Sequence, residues 1–112
     1  MVDSISGVFA ALADPTRRSI YENLLGSGSG HNATEISQVT DVSRQAIVKH
    51  LQVLVKAGLA TSKRDGREVR YLVTQGGTSD VVDWLTRSSA AWDRRIGVLR
   101  DQVETDPRRR SS

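Results

Sequence analysis

Between Ser43 and Gln52 the chain reads SRQAIVKHLQ. Wound as a helix, this run sets Gln45, Lys49 and Gln52 on one side, with Arg44 and Val48 at the edge of that side near the start, and Ile47 and Leu51 on the opposite side. The polar side carries Arg, Gln and Lys and no Asp or Glu. Such side chains suit the edges of base pairs in a major groove: Arg matches guanine, Gln matches adenine, and an exposed Val can touch a thymine methyl. Ser43, together with the helix N-terminus, can donate to a phosphate. Taken alone, the same helix is equally an ordinary amphipathic surface helix.

The residues on either side narrow that choice. Downstream, Lys63, Arg64 and Arg67 flank Asp65-Gly66, a favoured two-residue hairpin turn between strands expected over residues 60–64 and 67–74. Cations at a hairpin tip can lie along a phosphate backbone or enter a minor groove, and they also blunt unwanted strand pairing. Arg70 lies deeper in the strand and is the weaker contact. Upstream, Asn32-Ala33-Thr34-Glu35 has the cap and the acid of a capping box. It opens a short helix over residues 33–39, and Thr40-Asp41-Val42 reads as the turn into the next helix. That helix, capped by Ser43, runs to Ala57 and ends on Gly58. The order short helix, tight turn, polar-faced helix is the helix-turn-helix pattern.

Helices are also expected before and after this segment. Val8, Phe9, Leu12 and Ala13 share a face over residues 4–13, and Asp14-Pro15 restarts the chain as N-cap and first helical residue of a helix to Leu25. Gly26-Ser27-Gly28-Ser29-Gly30 reads as a loop, and His31 falls in its flexible end. The last helix, about residues 79–103, carries Val81, Trp84, Leu85, Ser88, Trp92, Ile96, Leu99 and Val103 on one stripe. Some 25 residues of helix extend about 37 Å, which outruns the core of so small a domain. Trp is a common interface anchor. The economical expectation is a two-fold dimer through Val81, Trp84, Leu85, Ser88, Trp92, Ile96 and Leu99, joined by Val8 and Phe9 of the first helix.

Bulk properties set the frame. The 112 residues suffice for one domain, taken as residues 1–106 followed by a disordered basic tail over 107–112. The expected class is mainly α with a small β-hairpin, in the order α-α-α-α-β-β-α, a winged helix-turn-helix. The net charge of +3 is unevenly spread: residues 43–70 hold seven Lys and Arg against two Asp and Glu, whereas residues 1–42 are net acidic. A concentrated basic face is the footprint of a nucleic-acid binder. There is no cysteine, which excludes disulfides and thiolate chemistry and fits a cytoplasmic protein. No apolar run approaches a membrane span, and the N-terminus does not read as a signal peptide. No nucleophile beside a histidine and no phosphate-binding loop is evident, so an enzyme is not expected.

The chain resembles the arsenical-repressor (ArsR) family of winged helix-turn-helix regulators. Ala11-Leu12-Ala13-Asp14-Pro15-Thr16-Arg17-Arg18 is similar to the family's opening signature. The run from Val42 to Leu51, with Leu54 and Ala57-Gly58-Leu59, resembles its recognition helix, and Gly66-Arg67 with Tyr71 resembles its wing. The resemblance implies a homodimeric, sequence-specific DNA-binding regulator of bacterial or archaeal cytoplasm. Such a regulator is usually a repressor on an inverted-repeat operator, often its own promoter, and the resemblance assigns base contacts to Ser43, Arg44, Gln45, Val48 and Lys49. Val48-Lys49 departs from the Ser that many members carry there. Metal-sensing members place cysteines on the third helix or acid and His ligands on the last. This chain has no cysteine, and its last helix has Asp80, Asp83 and Asp93 but no His; His31 and His50 are its only histidines, so no metal or cofactor is expected and the non-metal branch fits better. No inducer is named by the sequence. The alternative of another class is a winged-helix module that binds a protein through its last helix, with weak or no specific DNA binding.

Overall fold

The computed structural model describes residues 3–105. The basic tail expected over 107–112 lies outside them. The elements are α1 (Ser4–Ala13), α2 (Pro15–Leu25), β1 (His31–Asn32), α3 (Ala33–Gln38), α4 (Arg44–Lys56), β2 (Ala60–Asp65), β3 (Glu68–Val73) and α5 (Ser79–Thr105). The chain divides into a compact unit that ends at Asp80 and a helical unit from Val81 onward.

Each helix of the first unit starts on a side-chain cap. Asp3 accepts from the Ser6 N–H and Asp14 from the Arg17 N–H, with Pro15 in the first helical turn. The capping box of α3 is complete: Asn32 Oδ1 accepts from the Glu35 N–H at 2.8 Å, and Glu35 Oε1 accepts from the Asn32 N–H at 3.0 Å. Ser43 Oγ accepts from the Ala46 N–H and opens α4. That helix ends in a Schellman motif. The Leu59 N–H reaches Leu54 O and the Gly58 N–H reaches Val55 O, with Gly58 at φ +81°. The motif turns Leu59 inward, where it is fully buried.

Ile20, Leu24, Ile36, Ile47, Leu51, Leu54 and Leu59 are the fully buried large side chains, and they come from α2, α3, α4 and the turn after it. Burial of each contributes about 1.5–3 kcal/mol. α4 thus has one face locked in the core and the other left to solvent.

Four sequence expectations need correction. First, His31 is not in a flexible loop. With Asn32 it forms β1, which pairs with Tyr71 and Arg70, so the sheet has three antiparallel strands in the order β1-β3-β2. Second, the hairpin turn is shifted by one residue. Asp65 pairs with Glu68, so its central residues are Gly66 and Arg67. Gly66 has φ +63° and, among the described residues, no non-glycine has positive φ, so Arg67 does not, which is the signature of a type II′ turn. Third, Val8 is only 2% exposed and belongs to the core, so it offers no surface to a second chain. Val81 is likewise buried. Fourth, α3 stops at Gln38, leaving Val39 as an exposed cap residue.

The second unit is the remainder of α5. Trp84, Leu85, Trp92, Val98, Leu99 and Val103 are exposed along it, Ser88 is exposed, and Ile96 is half-buried. No helix among the described residues is long and apolar enough to cross a membrane.

Candidate nucleic-acid interface

The candidate surface is built from the outer face of α4 and from the hairpin of β2 and β3. Ser43, Arg44, Gln45, Lys49 and Gln52 are exposed, and Val48 is half-buried among them. With Ile47, Leu51 and Leu54 fixed inside, α4 cannot roll without emptying the core, so the direction of these polar side chains is set by packing.

The hairpin register sorts the three wing cations. Lys63 lies opposite Arg70 and Arg64 opposite Val69, so Lys63 and Arg64 emerge on different faces. Arg64 shares its face with Val69 and Tyr71. Val69 and Tyr71, but not Arg64, line a cleft of about 480 Å³ together with Thr34, Arg44, Val48 and Arg67. Arg44 and Arg67 therefore border one concavity between α4 and the wing, while Lys63 serves the far side of the hairpin. Lys63, Arg64 and Arg67 form no ion pair among the described residues. Uncompensated cations of this kind release counterions from a nucleic-acid backbone.

Arg70 has a different task. Its Nη1 lies 3.2 Å from Glu35 Oε1 and 3.5 Å from Glu68 Oε2, its Nη2 donates to Gly30 O at 2.8 Å, and its Nε donates to Ser29 O. Asn32 Nδ2 donates to the other Glu68 oxygen at 2.8 Å, and His31 Nδ1 sits 3.8 Å from Glu35 Oε2. The Arg70 side chain thus ties the wing to the glycine loop and to the cap of α3. The Asn32 N–H holds the Glu35 carboxyl below the usual carboxylate range, and the charge of Arg70 adds to this. Glu35 and Glu68 are engaged in this latch, and at the tip Lys63, Arg64 and Arg67 outnumber Asp65. In the sequence, Arg70 is one more hairpin cation; only its pairing with Asn32 across β1 reveals the inward role.

Arg17 and Arg18, the last residues of the opening signature, have a structural task that the sequence does not show. Arg17 Nε donates to Ala11 O at 2.6 Å and its Nη2 to Ala10 O, and Arg18 Nη1 donates to Leu12 O. They satisfy the last carbonyls of α1, which have no partner within the helix. Arg17 Nη1 also lies 3.4 Å from Nδ1 of the half-buried His50. One side chain therefore joins the end of α1 to the polar helix α4. A guanidinium only donates, so Nδ1 is the acceptor and the neutral ring carries its proton on Nε2.

Among the described residues, no group of three His, Asp or Glu converges where an ion could be held.

Comparison with known proteins adds an independent line. A family model described as a helix-turn-helix domain matches residues 12–63. The chain is similar to the transcriptional repressor SdpR of Bacillus subtilis, with 30% identity over 81 residues that cover 72% of this chain and 88% of the relative. It is also similar to a probable mercury resistance operon repressor of Streptomyces lividans, with 33% identity over 80% of this chain and 69% of the relative. Among solved structures, an ArsR-like transcriptional regulator from Rhodococcus sp. RHA1 superimposes with a TM-score of 0.76 at 36% identity, covering 92% of this chain and 95% of that one.

Proposed function

The chain belongs to the ArsR family of winged helix-turn-helix transcription regulators, and from that premise we propose that it is a homodimeric repressor that binds an inverted-repeat operator, with its own promoter as the first site to test. The observation that carries the reading is the outer face of α4, which is acid-free and held outward by a buried opposite face. In this reading Arg44, Gln45, Val48, Lys49 and Gln52 meet base edges in a major groove, and Ser43 meets a phosphate. Arg67 follows the backbone from the cleft, Arg64 from the strand face of Val69, and Lys63 from the other face of the wing. Two such helices about 34 Å apart read successive major grooves, which calls for a second copy of the chain. Occupancy of promoter DNA then excludes polymerase.

Titration of the chain onto its own upstream DNA at fixed salt, beside a scrambled duplex, tests this. Arg44→Ala is expected to cost about 1–3 kcal/mol per half-site on the operator and far less on scrambled DNA. Arg67→Ala is expected to weaken both duplexes alike and to lower the slope of log K against log salt by about 1 per site. Equal loss on both duplexes for Arg44→Ala would remove its base-reading role. Absence of any preferred sequence would favour a protein-binding module instead.

A further inference from the structure

Thr34 faces no base in the reading above, yet it holds the side chain expected to contribute most to discrimination. Its Oγ1 accepts a hydrogen bond from Arg44 Nε at 3.1 Å, across the turn between α3 and α4. Both side chains are exposed, and both line the cleft that Arg67 borders from the wing. The contact fixes which edge of the guanidinium is available. With Nε engaged, the end that carries Nη1 and Nη2 remains, and it can donate two parallel hydrogen bonds to a pair of acceptors such as guanine O6 and N7.

The support beneath Thr34 is rigid. The Thr34 carbonyl accepts from Ser37 Oγ at 2.7 Å, the capping box closes the first turn of α3 around it, and Glu35 is tied to Arg70 of the wing. This hydrogen bond favours one placement of a long, flexible arginine before any ligand arrives. Ordering such a side chain on binding opposes association, and ordering it beforehand removes part of that opposition.

We infer that Thr34 is a positioning residue for sequence discrimination: it presets the Arg44 fork toward base edges, so that specificity depends on a hydroxyl that reads no base itself. This rests on the proposed base-reading role of Arg44, and the test separates the two. The probe is the duplex recovered from random sequences by repeated selection with the unaltered chain, measured against a scrambled duplex at one salt concentration. Thr34→Val, which keeps the shape and removes the hydroxyl, is expected to lower the ratio of specific to scrambled affinity roughly 3- to 10-fold, with the melting temperature little changed. Thr34→Ser is expected to restore the ratio. In an Arg44→Ala background Thr34→Val is expected to change the ratio no further, because the group it positions is gone. If Arg44→Ala collapses the ratio and Thr34→Val leaves it intact, the inference is wrong and the base-reading role stands. If Thr34→Val weakens both duplexes equally and lowers the melting temperature, Thr34 is only a tie between helices. If Arg44→Ala leaves the ratio unchanged, or selection recovers no sequence, the base-reading role fails and the inference falls with it.

Discussion

Gly30→Ala is expected to destabilise the domain by about 3 kcal/mol or more, whereas Gly28→Ala, two residues earlier in the same glycine-rich loop, is expected to stay within about 0.5 kcal/mol of the parent. Two independent effects act at Gly30. Its φ of +76° lies in the left-handed region that side chains disfavour. A Cβ there would also fall on the Tyr71 carbonyl oxygen and within 2.8 Å of Leu72 Cγ. The backbone oxygen cannot step aside, because Tyr71 is held between two strands. Relief must come from Gly30 moving outward, and that motion takes the Gly30 carbonyl away from Arg70 Nη2 and Ser27 Oγ and pulls His31 from its pairing with Tyr71. At Gly28 an added methyl group would meet no atom within 4 Å, and φ lies outside the left-handed region, so neither effect operates. Thermal unfolding followed by circular dichroism reads the difference. At about 4 °C or more per kcal/mol for a domain of this size, Gly30→Ala should lower Tm by about 10 °C or more. A shift of only one or two degrees would show that the loop yields, and the close packing of β1 against β3 would then contribute little to stability.

That loop also marks where sequence reading stops. The helices, the Asn32–Glu35 capping box, the Ser43 cap and the Gly58 terminus were legible because each depends on residues within one or two turns of one another. The buried face of α4 was legible because Ile47, Leu51 and Leu54 repeat at helical spacing. β1 was not. Two residues cannot show a period, and the strand exists only because β3, some 40 residues later, supplies partners. The glycines beside it resemble a linker, yet Gly30 is there for close approach to another strand. The hairpin shows a subtler limit. Asp65-Gly66 and Gly66-Arg67 are both acceptable turn pairs by composition, and only the register decides between them. The choice matters because a slip of one residue exchanges the faces of a strand. It sets Arg64 on the face of Val69 and Tyr71 and Lys63 on the opposite one, and it turns Arg70 inward to Glu35. Of the candidate site, the reading face of α4 was therefore visible in the chain, while the division of labour among the hairpin cations depended on long-range pairing. Val8 illustrates the same point within a helix. It shares an apolar face with Phe9, but the core takes Val8 and leaves Phe9 43% exposed.

Trp92→Glu is expected to convert the chain to a folded monomer and to weaken operator binding by a factor on the order of 10²–10⁴, the steepest functional loss expected of any single substitution. α5 has 27 residues and so extends about 40 Å, and its exposed apolar side chains do not alternate with the core as those of α4 do. Leu85, Trp92 and Leu99 recur every seven residues, the repeat that brings two helices together along a seam. Trp92 is 61% exposed and Leu99 53%, which is a costly arrangement for a helix that stays alone in water. In a two-fold dimer the same residue appears twice, so one substitution removes two aromatic anchors and sets two carboxylates near the axis. Helicity should survive, since Glu is a good helix former and Trp92 is not part of the core. What is lost is the linkage between two reading heads. A paired reader binds its second half-site as an intramolecular step, and a monomer must bind each half-site separately. The loss should therefore be steep on an inverted repeat and slight on a single half-site, which distinguishes it from damage to α4 or the wing. Sedimentation at micromolar concentration reports the assembly state, and anisotropy titrations on full and half sites report the linkage. If Trp92→Glu remains dimeric, the seam lies elsewhere. If it becomes monomeric yet binds the full site as the parent does, the chain reads DNA as a single head, and the helix serves some partner other than its own copy.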